Sequence, residues 1–263
     1  MHSFNAHTYL LHTLHMRVYH LSASFPSSSP PRAHVHALTS LSRLSRSHFF
    51  YSYAADGFGG GDIISNNMLA NTCRESSDHG PWNSWDRVPY ITTLRHGKDK
   101  PSIIPKNREI HHNLVVATYN SQESIDTDDG SAYIDVHHNF FAYGDNGLKS
   151  DFGGHDEYWH ENQIAYVGNC YHMWNFKGYN DGFFNNSCIT RSVNGGYDSD
   201  CKNTPEMGWE VHDNTVYTSG GTVNACGSTL AEWVKQGHDK GSKAMKWPTD
   251  AEMTARAKVL LDF

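Results

Sequence analysis

The chain has 263 residues, enough for one domain with a substantial core, and a formal net charge of −7 with only 19% charged residues. That balance argues against a basic nucleic-acid groove, and no apolar run approaches the ~18 residues of a membrane-spanning helix. Its water-facing positions must be filled by Asn, Gly, Ser, Thr and His, which form helices poorly and suit a turn-rich β surface.

Residues 1–55 are a different polymer from the rest. They hold no Asp or Glu, four Arg, eight of the 19 His and the run SFPSSSPPR at 24–32. The remainder sets 17 basic residues against 28 acidic, a balance of −11. A shift this abrupt marks a boundary. The composition resembles a transit peptide; translated non-coding sequence at the edge of an incomplete gene model is the competing reading. Histidines interrupt the apolar stretch YLLHTLHM, so there is no clean signal peptide. The expectation is a disordered or unrelated segment at 1–55 and one folded domain at 56–263.

After Ala55 the chain repeats loosely. IISNNMLAN at 63–71, REIHHNLVVAT at 108–118, IDVHHNFFAY at 134–143, YWHENQIAY at 158–166, GFFNNSCIT at 182–190 and WEVHDNTVY at 209–217 share an Asn followed by an alternating apolar strand. The aligned residues are Asn67, Asn113, Asn139, Asn162, Asn186 and Asn214, spaced 46, 26, 23, 24 and 28 apart. A period in the low twenties with an Asn at a fixed corner predicts a solenoid. Leucine-rich repeats need several Leu per turn, which these lack. The pattern predicts an all-β, right-handed parallel β-helix with the asparagines stacked in a column at one bend.

A solenoid needs caps for its apolar ends. STLAEWVKQG at 228–237 predicts a short helix ending at Gly237. A second helix is predicted over 249–261, opened by a capping box of Thr249 and Glu252. These supply a C-terminal helical cap. Five cysteines, Cys73, Cys170, Cys188, Cys201 and Cys226, include no CxxC pair. That disfavours a zinc ribbon; four could pair in a secreted protein, or all could be buried thiols.

These coils, together with GPWNSWDR at 80–87, DTDDGS at 126–131 and GLKSDFGGHD at 147–156, resemble the right-handed β-helix proteins of the pectate-lyase-like superfamily. The resemblance implies a polysaccharide partner and a secreted or extracellular location. It leaves the reaction open, because a fold does not fix a function.

The segment 73–107 reads as an insertion that walls a groove along the coils. Trp82 and Trp85 offer flat apolar faces to sugar rings. Arg74, Asp78, Asp86 and Arg87 supply directional bonds to hydroxyls or a uronate. The competing reading is a self-satisfied plug with its tryptophans packed on the coil.

Eleven residues before Asn139 and Asn162 stand Asp128 and Asp151; thirteen before stand Asp126 and Lys149. If the register holds, each pair sits on neighbouring coils about 4.8 Å apart. Two carboxylates that close share a proton or a cation. A shared proton suits the acid of a retaining glycosidase. The cation would be Ca2+, held by oxygens of Asp126, Asp128, Asp129 and Asp151.

The leading expectation is a polysaccharide lyase on a uronate polymer, with Arg87 or a cation neutralising the carboxylate and Lys149 or His79 as base. A glycoside hydrolase using a pair among Asp128, Asp151 and Asp129 is the second reading. A β-helix that binds polysaccharide or serves a structural role without turnover is the third. The oligomeric state is not legible.

Overall fold

The structure, a computed structural model, describes residues 63–73, 77–85, 106–119, 121–151, 153–174, 176–193 and 206–261, with 45–46, 55–56, 61, 196–198, 201 and 204. It is the expected right-handed parallel β-solenoid, of about five turns. Each turn visits three parallel sheets in order. Sheet A includes Asn67–Ala70, Leu114–Val116, Phe140–Ala142, Gln163–Val167, Ser187–Thr190, Thr215–Thr218 and Lys243–Lys246. Sheet B includes Trp82–Ser84, Glu123–Thr127, Asn146–Asp151, Asn169–Trp174 and Gly196–Asp198. Sheet C runs from Ile63–Ser65 through Arg108–His111, Ala132–His137, His155–His160 and Asp181–Phe184 to Glu210–His212. Ser45–Arg46 pairs with Asn67–Met68 in sheet A, and Ala55–Asp56 with Trp82–Asn83 in sheet B. Parallel pairing thus reaches back into the segment whose composition marks it as foreign. No helix among the described residues is long and apolar enough to cross a membrane.

The alternation within each strand fills the interior. On sheet C, Ile110, Val136, Trp159, Phe183 and Val211 stand in one register column, all buried. Leu148 of sheet B pairs with Ile125 on one side and Tyr171 on the other, all three facing the same core. Each such side chain contributes about 1.5–3 kcal/mol by leaving water.

The asparagines form the predicted column. The Nδ2 of Asn67 donates to Oδ1 of Asn113 at 3.1 Å, Asn113 to Asn139 at 2.9 Å, Asn139 to Asn162 at 3.0 Å and Asn162 to Asn186 at 3.1 Å. The backbone N–H of Asn186 donates to Asn214 Oδ1, and that of Asn214 to Ser242 Oγ, both at 2.9 Å. The residue before each ladder Asn is left-handed: Asn66, His112, His138, Glu161, Asn185 and Asp213, with φ of 54–59°. A non-glycine residue there costs roughly 1–3 kcal/mol, which the two-way bonding of each buried amide offsets.

Helix α1, Leu230–Lys235, and helix α2, Asp250–Leu260, both begin with full capping boxes, Thr229 with Glu232 and Thr249 with Glu252. Leu230 of α1 is buried in the inner core beside Val223 and Ala225, so this helix closes the C-terminal end. Helix α2 instead packs along the outer face of sheet A, where Met253 and Ala257 meet Phe140, Ala142, Ala165 and Ile189. Its Arg256 donates to Ser187 Oγ at 3.0 Å and to the Tyr217 hydroxyl at 2.9 Å. Four cysteines pair, as Cys170–Cys188 and Cys201–Cys226, and Cys73 is buried outside both bridges.

Candidate functional site

Part of the predicted set, Asp126, Asp128 and Lys149, lies together on the outer face of sheet B. With Ile125 and Leu148 turned inward, Asp126 and Lys149 turn outward, and the two are register partners as expected. The column reads Asn83, Asp126, Lys149, His172. The Lys149 ammonium lies 3.1 Å from Asp126 Oδ1 and 2.9 Å from Asp128 Oδ1, and donates to Gln122 Oε1 at 3.4 Å. Asp126 has no exposure and Lys149 only 3%.

The cover comes from the turn before Trp82–Ser84. Gly80 lies so close over Asp126 that a Cβ there would stand 2.9 Å from both its Cβ and its backbone N. His79 Nδ1 is 3.3 Å from Asn83 Oδ1 at the edge of this cover. Burial pushes the Asp126 carboxyl up to about 6, against the pull of the Lys149 charge beside it. An ammonium clasped by two carboxylates donates protons in hydrogen bonds and is poorly placed to accept one.

A second column runs beside the first. The pairing of Ser84 and of Ser150 with Thr127, carried one residue further, puts Trp85, Asp128 and Asp151 side by side, and Asp151 pairs with Trp174. Asp128 and Asp151 thus occupy neighbouring coils, as their equal offsets predict. One coil further on, the count slips: Lys149 pairs with His172 where counting gives Met173. Six positions separate Asp151 from Glu157, but seven separate Trp174 from Asp181. Trp85 and Trp174 are 39% and 46% exposed, and Trp174 was missed by sequence reasoning because of that slip.

Trp82 departs from the expected groove wall. It is 1% exposed and belongs to the inner core, because Trp82–Ser84 is a sheet B strand of the coil. Arg108 sits over its ring, 5.5 Å from the centroid. Asp78 is exposed in the preceding turn, and Asp129 is buried in the turn after Asp128. Arg74, Asp86 and Arg87 lie outside the described residues, as does the side chain of Asp151.

The carboxylates gathered for Ca2+ have a cation of another kind among them. Lys149 already holds Asp126 and Asp128, and among the described residues no group of three or more His, Cys, Asp or Glu is arranged to hold a metal ion. The donor set fits an ammonium better than Ca2+.

A polar layer inside the solenoid was also missed. Thr127 Oγ1 is within hydrogen-bonding reach of Glu157 Oε2 at 2.6 Å and of the Lys149 carbonyl. Ser150 Oγ donates to Asp181 Oδ2, and the Glu157 N–H to Asp181 Oδ1, both at 3.0 Å. Glu157 and Asp181 share their inward register column with Ile134, so only strand parity counted from Trp159 could have revealed them.

No protein-family model, curated protein or solved structure matches this chain.

Proposed function

We propose that the outer face of sheet B binds an extended polysaccharide, in the manner expected of a pectate-lyase-like β-helix. The observation that carries this reading is the column Trp85, Asp128, Asp151, Trp174, with an exposed indole at each end and two acids between. At about 4.8 Å per coil, three steps span roughly 14 Å, room for several sugar rings lying across the strands. Indoles stack on the C–H faces of sugars, and carboxylates accept from their hydroxyls. The net charge of −7 and the acids on this face favour a neutral polymer over a polyanion. Two disulfides are compatible with an oxidising compartment, and we place the protein outside the cell.

Hydrolysis is the second reading, favoured by the neighbouring register of Asp128 and Asp151, two acids on adjacent coils. A lyase would have to draw its base from His79, since the Lys149 ammonium is engaged by two carboxylates.

The experiment is a screen of neutral and uronate polysaccharides for binding, reducing-end release and near-ultraviolet absorbance. Binding to a neutral polymer, weakened by Trp85→Ala, supports recognition. Reducing ends lost in Asp128→Asn add hydrolysis. An unsaturated product that survives Asp128→Asn would overturn the order of readings in favour of a lyase. No binding to any polymer would overturn the reading as a whole.

A further inference from the structure

The corner between sheets C and A carries a second repeated chemistry. At four coils the last outward residue of sheet C and the left-handed residue after it bring metal-ligating side-chain atoms together. His111 Nδ1 and His112 Nδ1 are 2.8 Å apart, and His137 Nδ1 and His138 Nδ1 are 2.9 Å apart. The same corner holds His160 Nδ1 and Glu161 Oε2 at 3.1 Å, and His212 Nδ1 and Asp213 Oδ2 at 2.8 Å. In the two His–His pairs the rings stand at 88° and 89° to each other, with their Nδ1 atoms as the point of closest approach.

We propose that the His111–His112 and His137–His138 corners are bidentate sites for a first-row divalent cation that prefers imidazole, Cu2+ first and then Ni2+ or Zn2+. Two ligands at right angles, each about 2.0–2.1 Å from an ion, stand about 2.9 Å apart. The corners already hold their nitrogens at that separation. As the ion enters, the donor ring gives up its Nδ1 proton and takes one from solvent at Nε2, so both imidazoles bind as neutral ligands. Imidazole selects against Ca2+ and Mg2+, which take oxygen ligands.

The His137–His138 corner is reachable through His138. A groove of about 690 Å3 opens between it and α2, lined by His138, Glu161, Asp213 and Arg256. Among the described residues no third protein ligand joins either pair, so water completes the shell and the ion exchanges freely. Corresponding rings of the two pairs stack 5.1 and 5.4 Å apart. One ion cannot bridge both pairs at that distance, and two divalent ions so close repel strongly. The pair of corners therefore takes a single ion.

The chain itself supplies the test variants. Asn66 and Asn185 occupy the left-handed position of His112 and His138 in other coils, so His112→Asn and His138→Asn retain the corner while removing one nitrogen from each pair. The full chain is titrated with CuCl2, NiCl2 and CaCl2 by calorimetry, and bound Cu2+ is read by its paramagnetic resonance spectrum. Because residues 1–55 carry eight other histidines, the readout is the difference between wild type and double variant. The expected result is one Cu2+ fewer in the variant, loss of a two-nitrogen signal, weaker binding of Ni2+ than of Cu2+, and no Ca2+ heat that the variant removes. Equal Cu2+ stoichiometry and spectra in the two proteins would overturn the proposal, as would a wild type that binds no Cu2+. Should the double variant unfold more easily, His111→Phe with His137→Phe replaces it. Phe184 already stacks in that column, 5.0 Å from His160 and 5.1 Å from His212, so the same loss is expected with the ring stack preserved.

Discussion

Up the outer face of sheet C nearly the same side chain recurs: His111, His137, His160, Phe184 and His212 stack ring on ring at 5.0–5.2 Å. Up the outer face of sheet B the column reads Asn83, Asp126, Lys149, His172, and no two neighbours are alike. Parallel in-register coils make both possible, since each residue meets its own equivalent one coil away. Like-on-like columns of amides or aromatic rings satisfy themselves and extend indefinitely. Like-on-like carboxylates cannot, so a charged column must alternate sign or recruit a ligand. On sheet B the like-on-like repeat is given up, and Lys149 stands against Asp126.

The largest effect should come from breaking a self-satisfying column. Asn139 is fully buried and joins Asn113 to Asn162. Asn139→Ala strands donors and acceptors on both neighbours and should cost roughly 3–4 kcal/mol, seen as a fall in the urea midpoint. An effect below about 1 kcal/mol would mean that the ladder decorates the fold without holding it.

Breaking the alternating column should cost slightly less and depend on pH. Lys149→Met leaves Asp126 and Asp128 without their shared cation, and should cost about 3 kcal/mol near pH 8. The loss should shrink below pH 6 as Asp126 takes up a proton.

The same group sharpens the comparison from the other side. The Asp126 carboxyl is raised from 3.8 to about 6, so the folded chain keeps a proton that the unfolded chain releases between those values. Its contribution is fully present below pH 3.8 and is lost as pH rises through 6. Stability of wild type relative to Asp126→Asn should therefore fall by on the order of 2 kcal/mol between pH 3.5 and 7. A flat difference would mean that Lys149 fully compensates the burial.

The smallest effect belongs to the histidine column. Burial holds His111 and His137 below the ordinary histidine range, whereas the hydrogen bond that His160 donates to Asp135 raises His160. Acidification through the unfolded value of 6.5 should therefore weaken the fold through His111 and His137 and strengthen it through His160. His137→Phe should remove part of the acid weakening in denaturation curves recorded with EDTA. An unchanged pH slope would count against burial as the cause.

Legibility followed the same division. The asparagine column, the corners and the Thr249 capping box could be read because each repeats or carries a local motif. Register counted back from an Asn placed Asp126, Asp128, Lys149 and Asp151 correctly while the intervening turns kept one length, and failed at Trp174 when a turn gained one residue. Trp82 misled because its coil spans 46 residues from Asn67 to Asn113, and that length hid a sheet B strand inside an apparent insertion. The inward Glu157 and Asp181 could not be found from residue type, since buried carboxylates are rare and only strand parity places them.

The claim that sheet B is a recognition face rests most directly on its two exposed indoles. Trp85→Ala and Trp174→Ala should each weaken binding of a neutral oligosaccharide by about tenfold in calorimetric titration, as expected for the loss of one stacked ring. Neither should move the urea midpoint, because both side chains face outward. Binding that survives the double variant with unchanged affinity would contradict the account and remove this face as the polysaccharide site.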